Sequence, residues 1–332
     1  MGATEEPQHN ALLSRKISEL ALRIQGTRLE ALVAQLYDEL ERAGIGFHPP
    51  VYLADEWGCP DDVPVIGIPF YLADPQLARL EGDLTGVEAE TEAEVMMYLR
   101  HEAGHAFNYA YHLYEQPDWK QLFGSMDEPY SDEFKPVPFS QRFVRHVPGW
   151  YAQKHPDEDF AETFAVWLTP DSRWRERYAG TPALQKLEYV DRRARLYGSQ
   201  PPLVSSTTPD TPADTLDVTL EEWYHAADNK GRTCRLPRLL DEDLRALFPV
   251  DAGQPAADAI RAHRVRLIFE VNRWTGVNRR VLGVLLDELV RRVEALALHV
   301  ETEQVNARML NLAVFVTTLA MNYHYTDAFV ES

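Results

Sequence analysis

The chain has 332 residues, long enough to bury two separate cores. Its 33 Lys and Arg stand against 52 Asp and Glu, a formal net charge of -19. That balance argues against nucleic acid or an anionic membrane as the main partner. No segment has the 18 or so apolar residues of a membrane helix, and no apolar leader precedes the first polar stretch. The expectation is a soluble, cytoplasmic protein. The start Met1-Gly2-Ala3-Thr4-Glu5-Glu6 lacks the Ser or Thr that a myristoylation signal places at residue 6. Cys59 and Cys234 are the two cysteines, far apart, so neither a disulfide framework nor a cysteine metal site is expected.

Ser14 to Ala43 carries Ile17, Leu20, Ile24, Leu29, Leu32, Leu36 and Leu40 at near-helical spacing, which predicts one or two amphipathic helices. Val51-Tyr52-Leu53 and residues 63–72 read as strands. Prolines at 64 and 69 make the second an edge strand, and Ile66 to Phe70 is a candidate for pairing with an extended peptide. Prolines that merely protect an edge from aggregation give the same pattern.

Met96 to Ala110 then predicts a helix containing His101-Glu102-Ala103-Gly104-His105. Positions i and i+4 project from one face, so the two imidazoles can share one zinc ion while Glu102, on the flank, serves as a base toward water. The surrounding segment is apolar, where unpaired imidazoles and a carboxylate are costly to bury; a metal offsets that cost. A catalytic zinc needs a third protein ligand. The extension with Gly three and His six residues after His105 is absent, since Asn108 and Tyr111 stand there.

The better source is the helix predicted over Pro156 to Leu168, with proline at its start and acids in its first turn. Glu158 and Glu162 share a face, so one can bind the metal while the other accepts the free N–H of a ligand histidine. We assign Glu158 to the metal and Glu162 behind it, although the spacing alone allows the reverse. First-turn acids that only complement the helix dipole are the simplest competing explanation. His112, His146 and His155 lie near enough in sequence to supply a fourth ligand.

The helix around His101 to His105, the Glu158-Asp159-Phe160-Ala161-Glu162 segment and Tyr151, seven residues before Glu158, together resemble the gluzincin-type metallopeptidases. The likeness is to the bacterial zinc-binding members with Gly inside the motif, and to the catalytic domains of anthrax lethal factor and the Pro-Pro endopeptidases. It is local and covers these segments alone. It implies an α+β, zincin-like domain with a small mixed sheet, zinc on His101, His105 and Glu158, Glu102 as the catalytic base, and Tyr151 facing the metal. A phenol there can hydrogen-bond a developing oxyanion. The long segment between the two helices, residues 115–156, is rich in Pro and aromatic residues, so the substrates of those enzymes do not carry over.

Arg173 to Arg195 alternates Arg with acids and reads as a solvated helical face. Residues 199–217 are rich in Pro, Ser and Thr and read as a linker. The division expected is therefore a metallopeptidase domain over 1–198, the linker, and an all-α module over 218–332. Helical periodicity in that module runs over Ile260 to Trp274, Val281 to Val300 and Val305 to Tyr323. His225, His263, His299 and His324 are scattered through it without metal-ligand spacing. The sequence thus predicts a zinc-dependent peptidase whose partner is a peptide or protein substrate. Two other functions share the motif: a regulatory or scaffold protein with a structural or relic zinc site, and a zinc amide hydrolase acting on a non-peptide substrate.

Overall fold

The computed structural model describes residues 11–85, 89–131, 134–228, 236–238, 240–249, 252–326 and 328–330. The sequence readings at Met1 to Glu6 and at Cys234 fall outside these. Cys59 is a free thiol, half-buried, and its Sγ donates to the Val63 carbonyl at 3.3 Å.

The chain forms two compact units, Met1–Ala227 and Asp228–Ser332. Both are mainly helical, each with one small two-stranded sheet, a mixed helix and sheet architecture. None of the described helices is long and apolar enough to cross a membrane.

After a helical turn at residues 11–13, the first unit continues with a 3-10 turn at Ile17–Leu20 and helix α1 (Arg28–Arg42). Thr27 caps α1, its hydroxyl accepting from the Leu29 N–H at 3.2 Å. The apolar spacing seen in the sequence becomes the buried stripe Leu29, Leu32, Val33, Leu36 and Leu40. Strands β1 (Val51–Ala54) and β2 (Ile66–Pro69) pair in parallel, Val51 opposite Ile66 through Ala54 opposite Pro69. Helices α2 (Pro75–Thr85), α3 (Glu92–Ala110) and α4 (Pro117–Phe123) follow, then α5 (Pro156–Leu168), the short α6 (Trp174–Arg177), α7 (Pro182–Tyr197) and α8 (Leu220–Asp228).

The core of this unit forms where α1, β2 and α5 close around α3, with α7 packed on α5. Leu99, Phe107, Phe160 and Phe164 are essentially inaccessible to solvent. Full burial of each such side chain contributes about 1.5–3 kcal/mol, enough to fix α3 against α5. Arg100 reaches across to α1 and forms a two-pronged ion pair with Glu39, at 2.7 and 2.8 Å.

Two expectations are corrected here. Strand β2 is buried at all four positions, and Gly67 exchanges backbone hydrogen bonds with Gly58 on the side away from β1. β2 is an edge of the two-stranded sheet, as its prolines predict, but Gly58 already takes the outward backbone groups of Gly67, so the strand lacks an unbroken row for a peptide to pair with. Residues 199–217 are not a linker either, because the division falls after Ala227. The Leu203 and Val204 N–H groups donate to the Ala110 carbonyl, Tyr52 and Asp210 exchange hydrogen bonds, and Ala54 bridges Pro212. A Pro- and Thr-rich segment buries little apolar surface, yet its backbone groups still need partners and find them on the existing fold. Helix α8 joins this unit through Leu220, which packs with Phe70, Leu77 and Leu80.

The second unit contains α9 (Leu240–Leu247), strand β3 (Gln254–Pro255), α10 (Ala256–Thr275), α11 (Arg279–Ala295), strand β4 (His299–Val300) and α12 (Val305–Thr326). Strands β3 and β4 pair antiparallel. The helices predicted over 260–274 and 305–323 lie inside α10 and α12. That predicted to Val300 stops at Ala295, where Ala297 at φ 51° turns the chain into β4. Ile260, Ile268, Leu282, Leu285, Leu289, Leu312 and Val316 fill its core.

Candidate metal centre

Helix α3 starts in a reciprocal cap. The Thr91 hydroxyl accepts from the Glu94 N–H at 3.3 Å, and the Glu94 carboxylate accepts from the Thr91 N–H at 2.9 Å. Its second half is buried, with His101 and His105 one turn apart. Helix α5 starts at His155, whose Nδ1 accepts from the Asp157 N–H at 3.2 Å; Pro156 follows at a position that needs no donor. With Nδ1 accepting, the proton of His155 is on Nε2, which donates to the Glu128 carbonyl at 3.0 Å.

Gly104 brings these two helices together. A Cβ placed on it would stand 2.7 Å from Ala161 Cα and 2.9 Å from the Ala161 carbonyl oxygen, closer than packed atoms approach. At this contact Glu158 of α5 meets both histidines of α3. Its Oε2 lies 3.0 Å from His101 Nε2 and 3.2 Å from His105 Nε2, and the two Nε2 atoms are 3.1 Å apart. All three side chains are buried, and together they could hold a metal ion.

The opposite ring nitrogens decide what these atoms offer. His101 Nδ1 is 3.0 Å from Glu162 Oε1, and the Glu162 carboxylate also accepts the backbone N–H groups of His146 and Val147 at 2.9–3.1 Å. His105 Nδ1 lies 2.7 Å from Asp157 Oδ2, out of line with the ring N–H. Asp157 in turn accepts from Asn108 Nδ2 at 2.8 Å and the Tyr109 hydroxyl at 2.6 Å. The bond to Glu162 keeps the His101 proton on Nδ1, and the charge of Asp157 favours the same tautomer at His105, so the Nε2 lone pairs are directed inward.

Two nitrogen lone pairs and a carboxylate oxygen therefore converge, a set that a cation completes. With protons alone, burial works against charged imidazoles, but the bonds to Glu158 and Glu162 outweigh it and lift His101 to about 10. Asp157 and Glu158 likewise outweigh burial at His105 and lift it well above its usual value. Burial also opposes the charged form of Glu158, yet the two histidines hold its carboxyl well below the usual range. The centre thus concentrates negative charge that attracts positive charge. The donors, two imidazole nitrogens and one carboxylate, fit a divalent metal ion.

Glu102 flanks the trio. It is 5 % exposed, lines the same cavity, and forms no hydrogen bond or ion pair with the described residues. Burial raises its carboxyl above the ordinary range. Tyr151 sits in a single 3-10 turn, its ring centroid 5.6 Å from that of His101. Burial and the nearby Glu158 charge push its phenol upward. Of the histidines considered as a fourth ligand, none joins the trio. His146 Nε2 is 2.9 Å from the Met97 carbonyl, His155 caps α5, and His112 lies in the turn after α3 beside Glu115.

Sequence reasoning missed Asp157 and Tyr130. Asp157 was readable only as one more first-turn acid, although Asn108 and Tyr109, just past His105, are the partners that single it out. Tyr130, whose hydroxyl donates to Glu158 Oε1 at 2.5 Å and lies 3.4 Å from the Tyr151 hydroxyl, has no sequence spacing that marks it. No protein-family model, curated protein or solved structure matches the chain.

Proposed function

We propose that this chain is a zinc-dependent metallopeptidase with a zincin-like catalytic domain, acting on a peptide or protein substrate. The observation that carries the reading is a three-donor centre beside a buried carboxylate that has no partner among the described residues, all lining one cavity. A structural metal site is closed by four protein donors, whereas a catalytic one leaves a position open. Three donors converge here, and His112, His146 and His155 are engaged elsewhere.

Zinc, when bound by His101, His105 and Glu158, supplies a Lewis acid that polarises a carbonyl and acidifies water. Glu162 and Asp157 hold the Nδ1 protons, so both imidazoles stay neutral and oriented. Glu102 accepts a proton from the attacking water and delivers it to the departing amine nitrogen. Its burial among few partners suits a group that must pick up and release a proton. Tyr151 directs its hydroxyl toward the oxygen on which negative charge develops.

The test is the Glu102→Gln variant. We expect wild type and variant to bind one zinc per chain by elemental analysis, with peptide cleavage lowered roughly 10²–10⁴-fold in the variant. A Glu102→Gln variant as active as wild type would sink this assignment.

A further inference from the structure

The cavity in front of the centre has a volume of about 630 Å³, the size of a small-ligand pocket. Its mouth is acidic on two sides. Asp61 and Asp62 come from the segment between β1 and β2, and Asp127 and Glu128 from the segment after α4. None of the described lining residues is Lys or Arg. Lys154 lies over the rings of Tyr130 and Tyr151, its Nζ 4.1 and 5.2 Å from their centroids, and does not line the cavity.

These carboxylates have few partners of opposite charge. Asp62 accepts from the Tyr114 hydroxyl at 2.5 Å and Asp127 from the Ser125 hydroxyl at 3.1 Å, neutral bonds that orient a carboxylate and leave its charge intact. Asp61 and the Glu128 side chain form no ion pair with the described residues. Deeper in the same cavity, Glu102 is more than nine-tenths buried and has no hydrogen-bond or ion-pair partner among the described residues. A divalent ion on His101, His105 and Glu158 would leave the charge of the mouth uncompensated. Trp57, Tyr109, Tyr114 and Tyr130 add aromatic faces to the same walls, and such faces attract cations. Low-dielectric walls of one sign focus their field into the opening.

We propose that the site selects a peptide carrying Lys or Arg side chains close to the bond it cleaves, the cationic group lying between the Asp61–Asp62 and Asp127–Glu128 walls. The proposal rests on the peptidase reading for the word cleaves, but not for binding. A basic side chain gains ion pairs with these carboxylates, of which Asp62 and Asp127 are already oriented, and its methylene stem packs on the aromatic rings. An acidic peptide meets like charge on both walls.

The experiment uses three fluorescein-labelled dodecapeptides that differ only in two central residues: Lys-Lys, Gln-Gln or Glu-Glu. Their binding to the zinc-loaded, full-length Glu102→Gln protein is read by fluorescence anisotropy, and their cleavage by zinc-loaded wild type is read by mass spectrometry. We expect the Lys-Lys peptide to bind about tenfold or more tightly than the Glu-Glu peptide, with the preference shrinking as salt screens the mouth. Asp61→Asn combined with Asp127→Asn, both exposed and outside the metal centre, should remove most of that preference while zinc content stays at one per chain. Equal affinities for the three peptides, binding of none, or a preference unchanged in the double variant would each overturn the proposal, whatever is cleaved. Selective binding of Lys-Lys with no cleavage by wild type would leave the charge selection standing and count against the peptidase reading.

Discussion

The two units bury different things at their helix crossings. Where α3 meets α5, the interior holds His101, Glu102, His105, Asn108, Asp157, Glu158, Asp159, Glu162 and Thr163, framed by Phe107, Phe160 and Phe164. Where α10 meets α11, it holds Ile260, Leu267, Ile268, Leu282, Leu285, Leu286 and Leu289, with Thr275 and Glu288 the buried polar groups on those two helices. The second arrangement explains itself by burial alone. The first does not, because burying a charge costs several kcal/mol of solvation that ion pairing offsets only in part, and Glu102 has no partner among the described residues. Stability alone would not select so dense a polar cluster, and a bound cation is the economical account of it.

Metal removal is the largest expected break in this comparison. At a free zinc concentration 1,000-fold above Kd, binding stabilises the site-bearing unit by about 4 kcal/mol. Hydrogen exchange followed by mass spectrometry should therefore show chelation weakening protection across α3 and α5 and leaving α10 to α12 unchanged. Equal loss in both units would mean that metal is not held at His101, His105 and Glu158.

Next comes the close contact of α3 with α5. The atoms facing Gly104 belong to the Ala161 backbone, which cannot rotate away as a side chain can. Gly104→Ala should push the helices apart at a cost of about 1–3 kcal/mol and draw Glu158 away from the histidines. Thermal unfolding and zinc titration of the same sample check both effects; a variant with wild-type zinc affinity would show that the helix contact does not set the donor geometry.

The proton-holding carboxylates give a smaller, sharper effect. Asp157→Asn keeps the shape behind His105 but removes the charge that fixes its Nδ1 proton. Zinc affinity should fall about 10–100-fold, measured by competition with a chelator of known affinity. Glu162 behind His101 is the internal comparison. It accepts two backbone N–H groups as well, so Glu162→Gln should also loosen the segment at His146 and Val147.

What the sequence could reveal follows from how local each feature is. The pair His101 and His105 was legible because helix periodicity alone puts i and i+4 on one face. Glu158 and Glu162 were legible as a pair but not in their roles. The roles depend on where α5 crosses α3, which Gly104 decides through a contact 57 residues away in sequence from Ala161. Tyr130 was illegible for the same reason, since a loop residue reaches Glu158 only through tertiary structure. The division of the chain was misread because composition reports side-chain burial, and residues 199–217 are held instead by backbone hydrogen bonds. The edge-strand reading of residues 66–70 matches β2, which stands at the edge of its two-stranded sheet, but prolines do not report what covers an edge, and here Gly58 pairs with Gly67 where a peptide was expected.

A second glycine offers the finest test of the comparison. Gly283 sits inside α11 and faces α10, as Gly104 faces α5, but the nearest atom to an added Cβ is Arg264 Nη2 at 3.0 Å. That is the far end of a flexible side chain, which holds Asp287 through two contacts of 3.1 Å at the surface. Replacing glycine by alanine inside a helix gains about 0.8–1 kcal/mol of propensity. The pair is exposed at Asp287 and largely covered at Arg264, and shifting it costs about 1 kcal/mol. Gly283→Ala should therefore be close to neutral in denaturant unfolding, unlike Gly104→Ala. If both substitutions destabilised equally, the close approach of α3 to α5 would be ordinary helix packing, and Gly104 would lose its special role in bringing Glu158 to the histidines.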